Sequence, residues 1–317
     1  MRFHLPNLPG QRHDPCDAYA QKAARFGRMF GDRVTIYHVE HPKPPDADLS
    51  AWQAVNALQA ERIAERAEPG DLLLIPFGVC QQSIASRLPH LRAVEYGIGY
   101  GGTFADFRVF ESRAWQATVY GSQQGAHGAD GRFYDAVIPN FYDPAELPLG
   151  EGGDYLLYVG RLTERKGLQI VLDTAERTGL PLVVAGAGEY PLPDWVDYRG
   201  VVAGEEKAKL MGGARALLCP TLYLEPFGGV AVEAQMCGTP AITTDFGAFP
   251  ETVEQGASGF RCRRMDEFAA AVEKAGALDR GAIRARALDR YSFAAVRPLY
   301  EDYFDHLATL DGDGFNT

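Results

Sequence analysis

The chain has 317 residues, a length that corresponds to about two domains. Hydrophobic residues make up 46% of it and charged residues 23%, which is typical of a globular protein and excludes extensive disorder. The formal net charge of −11 argues against a basic surface for nucleic acid, and no apolar run reaches the roughly 20 residues of a membrane span.

The first half of the chain alternates short apolar runs with longer segments of helical period. The apolar runs predict buried strands at RFHL, RVTIYHV, DLLLIPF, LRAVEY and QATVYG. The periodic segments between them predict helices at DAYAQKAARFGRMF, AWQAVNALQAERIAERA and CQQSIASRL. This alternation indicates a parallel sheet covered on both faces.

The pattern restarts after residue 150 with a second set of strands and helices. In chain order, the predicted elements are DYLLYVG, KGLQIVLDTAERTG, LPLVVAG, WVDYRGV, EEKAKLMGG, ARALLCP, VAVEAQMCG and PAITTD. We therefore predict an α/β protein with two doubly wound Rossmann-like lobes, joined by right-handed crossovers. The carboxyl ends of parallel strands bind ligands in such folds, so we expect the two lobes to face an interdomain cleft.

The segment NFYDPAELPLGEGGD, with two prolines and three glycines, is the natural domain boundary. We expect an N-terminal acceptor-side lobe over residues 1–143, a linker over 144–153 and a donor lobe over 154–290. Residues 291–317 are expected to form a helix that packs back on the first lobe, followed by a tail.

The number and spacing of the cysteines indicate the cellular compartment in which the protein is expected. The five cysteines are widely spaced and form no C-x-x-C pair, which argues against a disulfide framework or a zinc site. The first residues, MRFHLPNLPGQRHD, lack the apolar core of a secretory signal. We therefore expect a cytoplasmic protein.

Two cations follow the first strand of the second lobe in YVGRLTERKGLQ. Arg161 offers a bidentate fork and Lys166 a movable point charge, and both suit a diphosphate where a strand leaves its sheet. Solvated surface charges in a loop would look the same, so the residues alone leave both interpretations open.

The stretch LYLEPFGGVAVEAQMCGTP (222–240) combines two carboxylates with a glycine pair. Gly228 and Gly229 allow close backbone approach and leave free N–H groups at a predicted helix N-terminus, which is a favourable anion site. Glu233, about one turn inside the helix, suits a ribose diol, and Glu225, before the turn, suits sugar hydroxyls. Two exposed glutamates are the alternative.

Together with GAGE (186–189) and TDFGAFPETVEQGASGF (244–260), these motifs closely resemble the donor lobe of the retaining glycosyltransferases of family four. The resemblance covers residues 154 to about 262, and VIPN (137–140) and YSFAAVRPLYEDYF (291–304) also look like that family. It implies the GT-B fold and a nucleoside diphosphate sugar, of UDP or GDP type, as donor substrate without a separate cofactor or metal.

The resemblance also implies residue roles. Arg161 and Lys166 would bind the donor diphosphate, Glu225 would orient the donor sugar, and Gly10 would face the phosphates. In the same pattern the base lies beside residues 199–202. The donor-binding set it implies is Gly10, Arg199, Val201, Phe227, Gly228, Gly229, Val230 and Glu233.

The first lobe departs from the family pattern. Where many members place a histidine after the fourth strand, AVEYGIGYGG offers Glu95, which is either a catalytic residue near the reacting sugar or a strand-end carboxylate with a structural role. The nearby side chains have two interpretations, an acceptor pocket or ordinary core. They are Tyr96, Tyr100, Phe104 and Arg108.

The sequence thus predicts a metal-independent, retaining, hexosyltransferase-type glycosyltransferase acting on a glycan, lipid-linked or small-molecule acceptor. The alternatives are a non-catalytic nucleotide-sugar-binding module and a GT-B-fold epimerase that acts on the nucleotide-sugar itself. Nucleic acid is a disfavoured partner. A basic, amphipathic helix around Lys22, Arg25 and Arg28 predicts either peripheral membrane contact or a helix whose apolar face packs on the first sheet.

Overall fold

The computed structural model describes residues 1–7, 18–39, 49–123 and 132–310. The chain divides into two compact units. The first comprises Met1–Asn140 and Val296–Thr317, and the second comprises Phe141–Ala295. Within the described residues, no helix has the length and apolar character needed to cross a membrane.

In the first unit, the described residues form a parallel sheet of six strands in the order β2-β1-β3-β4-β5-β6. The strands are β1 (Phe3–Asn7), β2 (Val34–His38), β3 (Leu72–Ile75), β4 (Arg92–Ile98), β5 (Phe107–Phe110) and β6 (Ala136–Val137). The helices are α1 (Ala18–Phe30), α2 (Leu49–Ala64), α3 (Gln82–Arg87) and α4 (Arg113–Gln123), with 3-10 turns at Gly31–Arg33 and Gly78–Gln81.

The second unit contains another parallel sheet, in the order β12-β11-β10-β7-β8-β9. Its strands are β7 (Leu156–Val159), β8 (Leu182–Ala185), β9 (Asp197–Tyr198), β10 (Ala216–Cys219), β11 (Ala241–Thr244) and β12 (Gly259–Cys262). The helices are α5 (Leu168–Thr178), α6 (Gly204–Gly213), α7 (Gly229–Met236), α8 (Phe249–Thr252), α9 (Met265–Ala275) and α10 (Arg280–Tyr291). The last helix, α11 (Phe293–Ala308), begins in the second unit and belongs to the first unit from Val296 onward. A 3-10 turn at Glu164–Lys166 precedes α5.

Two parallel doubly wound sheets confirm the predicted α/β class. In each sheet the strand order reverses once, between β1 and β3 in the first unit and between β7 and β10 in the second. Ligands of open α/β sheets bind outside the carboxyl ends of the strands at such reversals. The loops that follow β7 and β10 are therefore the first place to look for a site in the second unit.

The apolar face of α1 is buried in the first unit. Phe26, Met29 and Phe30 are at most 4% exposed, and the rings of Phe26 and Phe30 pack within 6.5 Å of Tyr300 on α11. The same two rings lie 6.0 and 5.3 Å from the ring of Phe3 on β1. Of the two predictions for this helix, the structure therefore favours packing on the first sheet, because those apolar side chains are not available to a membrane.

One predicted strand is wrong. QATVYG lies in α4, and the fifth strand is instead FRVF, which is β5. Ser112 explains the difference, because its hydroxyl accepts a hydrogen bond from the Trp115 backbone N–H at 3.0 Å and so caps a helix at this point. Of the two β-branched residues of the segment, Val119 is buried beside Phe110, and the hydroxyl of Thr118 donates to the Ala114 carbonyl one turn earlier in the helix.

Candidate donor site

The loops after β7 and β10 lie side by side because these strands are neighbours in the sheet. The backbone N–H of Leu222 donates to the carbonyl of Arg165 at 2.9 Å, which fixes one loop against the other. The carbonyl of Glu225 in turn accepts from the backbone N–H of Ala248, beyond β11. Three consecutive strand ends therefore hold the Glu-Pro-Phe-Gly-Gly segment in place.

Lys166 and Glu225 form an ion pair between these two loops. The Lys166 ammonium lies 2.7 Å from the Glu225 carboxylate, and the two side chains are 18% and 13% exposed. The hydroxyl of Thr221 donates to the same carboxylate oxygen at 3.1 Å. Burial lowers the pKa of Lys166, but the Glu225 carboxylate outweighs it and raises that pKa above its ordinary value. Lys166 is therefore a permanent cation at neutral pH.

Arg161 lies at the end of the same strand and is exposed. Its carbonyl accepts a hydrogen bond from the Tyr158 hydroxyl at 2.7 Å, which anchors the backbone. Among the described residues, nothing forms a hydrogen bond or ion pair with its guanidinium. The side chain therefore remains able to engage an anionic ligand.

The GAGE segment packs directly on this loop, and only glycine fits at its start. Gly186 has φ +148°, and a Cβ there would lie 1.8 Å from the carbonyl oxygen of Gly160. The backbone N–H of Gly186 donates to Gly200 at 2.7 Å, which draws the segment after β9 to the same edge. The motif thus serves close backbone packing around Arg161.

Helix α7 begins at the glycine pair of the segment LYLEPFGGVAVEAQMCGTP (222–240). Gly228 has φ +78° and precedes the first helical residue, and a Cβ at this position would lie 2.6 Å from the Phe249 ring. Phe227 is 3% exposed and its ring packs edge-on against Tyr291, 5.8 Å between centroids. Phe227 therefore presents its backbone, and not its ring, to the outside. Gly229 and Val230 form the first turn of the helix.

Glu233 is the second glutamate of the motif and lies inside α7. It is 7% exposed, and its carboxylate lies 3.0 Å from the ammonium of Lys207, which projects from α6. The sequence interpretation missed Lys207, since EEKAKLM has the composition of a solvated helix. Only the packing of α6 on α7 shows that this lysine turns inward.

The segment after β9 is the most exposed part of the predicted site. Arg199 pairs with Asp197 at 2.6 Å, both side chains being about half exposed. Val201 is 44% exposed and Val202 is buried. Because Gly200 is tied to Gly186, this segment lies beside the GAGE loop, where the resemblance places the base.

The predicted site residues do not all lie in the same unit. Arg161, Lys166, Glu225 and Glu233 all belong to the second unit, and of these four Lys166 and Glu225 are in contact. The amino end of α7 lies between the two glutamates in the chain. Glu95 belongs to the first unit, and Gly10 lies outside the described residues.

Glu95 does not lie after the fourth strand but within it, three residues before β4 ends at Ile98. It is completely buried, and its carboxyl group accepts hydrogen bonds from the Phe104 backbone N–H at 3.2 and 3.3 Å. Burial raises the pKa of Glu95 to about 8, against the opposing effect of these backbone hydrogen bonds and of Arg108 and Arg132. At neutral pH it is largely a neutral acid.

This burial makes a testable prediction for Glu95→Gln. Because the folded protein holds a proton that the unfolded chain releases near pH 4.5, the stability of the wild type should fall as the pH rises from about 4.5 to about 8. The variant should lack that decline and be more stable above pH 8 by at least about 1 kcal/mol. Urea unfolding at pH 5 and pH 8.5 measures this, and equal pH dependence in both proteins would contradict it. If Glu95→Gln turns over the nucleotide-sugar like the wild type, Glu95 has a structural role. If the variant loses turnover, Glu95 has a catalytic role.

The aromatic residues near Glu95 divide between core and partly exposed positions. Tyr96 and Arg108 are buried, and Arg108 forms an ion pair with the equally buried Asp135 at 2.6 Å. Tyr100 and Phe104 are half-buried. A core role therefore describes Tyr96 and Arg108, while Tyr100 and Phe104 keep a partly accessible surface.

The first unit also contains a cavity of about 1140 Å³, lined by Arg2, Asp71, Arg92, Phe104 and Phe107 among others. These residues lie at the amino ends of the strands, the edge opposite to the one where such folds bind ligands. In the described ranges no three His, Cys, Asp or Glu side chains are grouped as a metal ion would require.

Comparison with solved structures decides the fold. HepE of Anabaena, in complex with UDP-glucose, superposes with a TM-score of 0.75 at 16% identity, covering 98% of this chain and 100% of that one. Sucrose-phosphate synthase of Thermosynechococcus elongatus superposes with a TM-score of 0.75 at 15% identity, covering 97% and 99%. The fold is GT-B.

In sequence, residues 142–289 match the family model "Glycosyl transferases group 1". The matched region is just under half of this GT-B chain. A glycogen synthase of Mycobacterium tuberculosis is 33% identical over 190 residues, which are 53% of this chain and 44% of that protein. The chain thus spans less than half the length of the curated relatives it matches. The matching region contains every described member of the predicted donor site.

Proposed function

We propose that the protein is a retaining glycosyltransferase that moves a hexose from a nucleoside diphosphate sugar, of UDP or GDP type, to an acceptor. The observation that carries this proposal is the arrangement at the β7–β10 reversal. There Lys166 is paired with Glu225, which precedes the first residue of α7 by four positions, and Arg161 belongs to the same loop as Lys166. The match to the glycosyl transferase family model and the UDP-glucose bound by HepE support it.

The arrangement suits departure of a diphosphate from a sugar. As the bond between the anomeric carbon and the phosphate oxygen breaks, negative charge develops on the diphosphate and positive character on the sugar ring. Arg161, Lys166 and the backbone N–H groups at Gly228 and Gly229 offset the charge on the leaving group. In this proposal these groups act without a metal ion.

Retention follows from the direction of attack. The acceptor hydroxyl attacks the anomeric carbon from the face that the diphosphate leaves, and a phosphate oxygen takes the hydroxyl proton. Glu225, held by Lys166 and Thr221, orients the hydroxyls of the donor sugar. Glu233 holds the ribose, and the backbone of residues 199–202 lies beside the base.

The acceptor belongs to the N-terminal unit in this proposal, and a glycan, a lipid-linked sugar or a small molecule fits the chemistry. Two other functions use the same donor site, namely a non-catalytic binding module and an epimerase that acts on the nucleotide-sugar. Product analysis separates them. A binding module releases no nucleotide, and an epimerase changes the sugar without any acceptor.

Donor binding is tested by thermal unfolding with UDP, GDP, ADP and their common sugars. A ligand at 100 times its dissociation constant stabilises the folded state by about 2.7 kcal/mol. We expect one nucleotide to raise the melting temperature of the wild type, and Lys166→Ala and Glu233→Ala to remove most of that rise. Lys209→Ala, an exposed lysine on α6, is the control and should keep it. If no nucleotide stabilises the wild type, the proposed function is wrong.

A further inference from the structure

Lys207 and Glu233 connect two helices that enter the site from different parts of the chain. Lys207 lies on α6 and Glu233 on α7, and their charged atoms are 3.0 Å apart with side chains only 16% and 10% exposed. Taking two charges out of water costs free energy that their attraction does not always return. A pair at this depth, beside the donor site, therefore calls for a functional explanation.

The pair lies close to the expected position of the diphosphate. Glu233 is four residues beyond Gly229, about 6 Å along the helix axis at 1.5 Å per residue. An uncompensated carboxylate at that distance would repel the diphosphate at the amino end of α7. Loss of the ion pair would also remove a contact that holds the rotamer of this carboxylate, and a ribose diol needs its acceptor oxygens in one place.

We propose that Lys207 is a positioning residue for the donor. It fixes the Glu233 carboxylate in the orientation that accepts hydrogen bonds from the ribose hydroxyls, and it cancels that carboxylate's charge beside the diphosphate. This inference rests on the proposed function, in which Glu233 holds the ribose.

The other glutamate of the motif shows the same design. Glu225 is paired with Lys166 at 2.7 Å, as Glu233 is with Lys207. Both carboxylates thus meet neutral hydroxyl groups while a lysine offsets their charge. The four side chains together carry no net charge, so neither carboxylate opposes the attraction of the diphosphate to Lys166, the guanidinium of Arg161 and the amino end of α7.

The ribose 2′-hydroxyl provides a specific readout for this role. Dissociation constants of UDP and 2′-deoxy-UDP, with GDP and 2′-deoxy-GDP in parallel, are measured by titration calorimetry. The proteins compared are the wild type, Lys207→Met, Lys207→Arg, Glu233→Gln and the double variant of Lys207→Met with Glu233→Gln. Lys209→Met, on the exposed face of the same helix, is the matched control for loss of one lysine.

A hydrogen bond to a charged group corresponds to about tenfold or more in affinity. We therefore expect the wild type and Lys209→Met to bind the ribonucleotide at least about tenfold more tightly than the deoxy form. Lys207→Met should lose most of this preference, and Lys207→Arg should retain it. The double variant should show the same preference for the ribonucleotide as Glu233→Gln alone, because Lys207 acts through Glu233. Melting temperatures of the free proteins establish that each variant folds. If Lys207→Met does not fold, Lys207→Gln is used in its place.

The outcomes that overturn the inference differ from one another. If Lys207→Met keeps the full preference for ribose, the role of Lys207 is wrong and the proposed function stands. If the wild type binds nucleotide without distinguishing the deoxy form, the ribose assignment of Glu233 is wrong and the inference with it. If the wild type binds neither UDP nor GDP, the proposed function itself is contradicted.

Discussion

Lys166→Ala is expected to lower the turnover number for the nucleotide-sugar by about 10²–10³-fold, the loss seen when one group that stabilises developing anionic charge is removed. The effect should be large because the ammonium is held in place by Glu225 at 2.7 Å and by the face of the Tyr223 ring, 4.9 Å from its centroid. The variant also leaves the Glu225 carboxylate without its cation at the proposed position of the diphosphate.

The measurement is the rate of nucleoside diphosphate release from whichever nucleotide-sugar stabilises the wild type. Glu225→Gln combined with Lys166→Ala separates the two causes, since it removes the unpaired carboxylate while leaving the missing cation. We expect the double variant to regain donor affinity but not turnover. Lys209→Ala should turn over like the wild type. A turnover number for Lys166→Ala within threefold of the wild type would contradict the assignment of this lysine to the leaving group.

Much of the fold could be predicted because hydrophobic periodicity is a local property. Runs such as DLLLIPF and LPLVVAG are apolar on both faces, which suits central parallel strands, and they became β3 and β8. QATVYG was wrongly predicted as a strand because Thr118 and Val119 favour strands. The segment is helical because Ser112, one residue before α4, caps the helix.

The candidate site likewise contains residues that are recognisable from a local segment and residues that only tertiary packing brings together. Gly228, Gly229 and the two glutamates could be proposed as site residues from the sequence because one continuous segment contains them, and in the structure that segment follows β10 at a strand-order reversal. Lys207 could not, since its partner Glu233 lies 26 positions away and only the packing of α6 on α7 brings them together. The buried position of Glu95 was equally hidden, because the segment that covers it, around Phe104, follows it in the chain.

Arg280→Met is expected to reduce the free energy of unfolding of the second unit by about 4 kcal/mol, since a buried acceptor that loses its donor costs about 1–3 kcal/mol. Arg280 lies at the start of α10, and its guanidinium donates to the carbonyls of Gly150, Gly212 and Ala214 at 2.7–3.1 Å. It also donates to the hydroxyl of Thr239 at 2.7 Å.

These acceptors explain why one side chain should matter so much. Gly212 lies in the last turn of α6, where backbone carbonyls have no partner within the helix and attract a cation. Gly150 belongs to the predicted linker, so the segment that its prolines and glycines mark as a boundary is in fact fastened to the second unit. Urea unfolding measures the loss, and Arg286→Met is the control on the same helix. Arg286 pairs with Glu254 at the surface, each about half exposed, and such pairs contribute about 0–1 kcal/mol.

The same variant connects stability to the donor site. Through Gly212 and Thr239, Arg280 joins the carboxyl end of α6 to the loop between α7 and β11. Lys207 lies on the same helix, five residues before Gly212. Loosening this contact should separate Lys207 from Glu233, so Arg280→Met should weaken nucleotide binding at temperatures where the unit is still folded. Calorimetric titration well below the melting temperature measures this. A variant that unfolds more easily but binds nucleotide like the wild type would show that the Lys207–Glu233 pair is held by α6 and α7 alone.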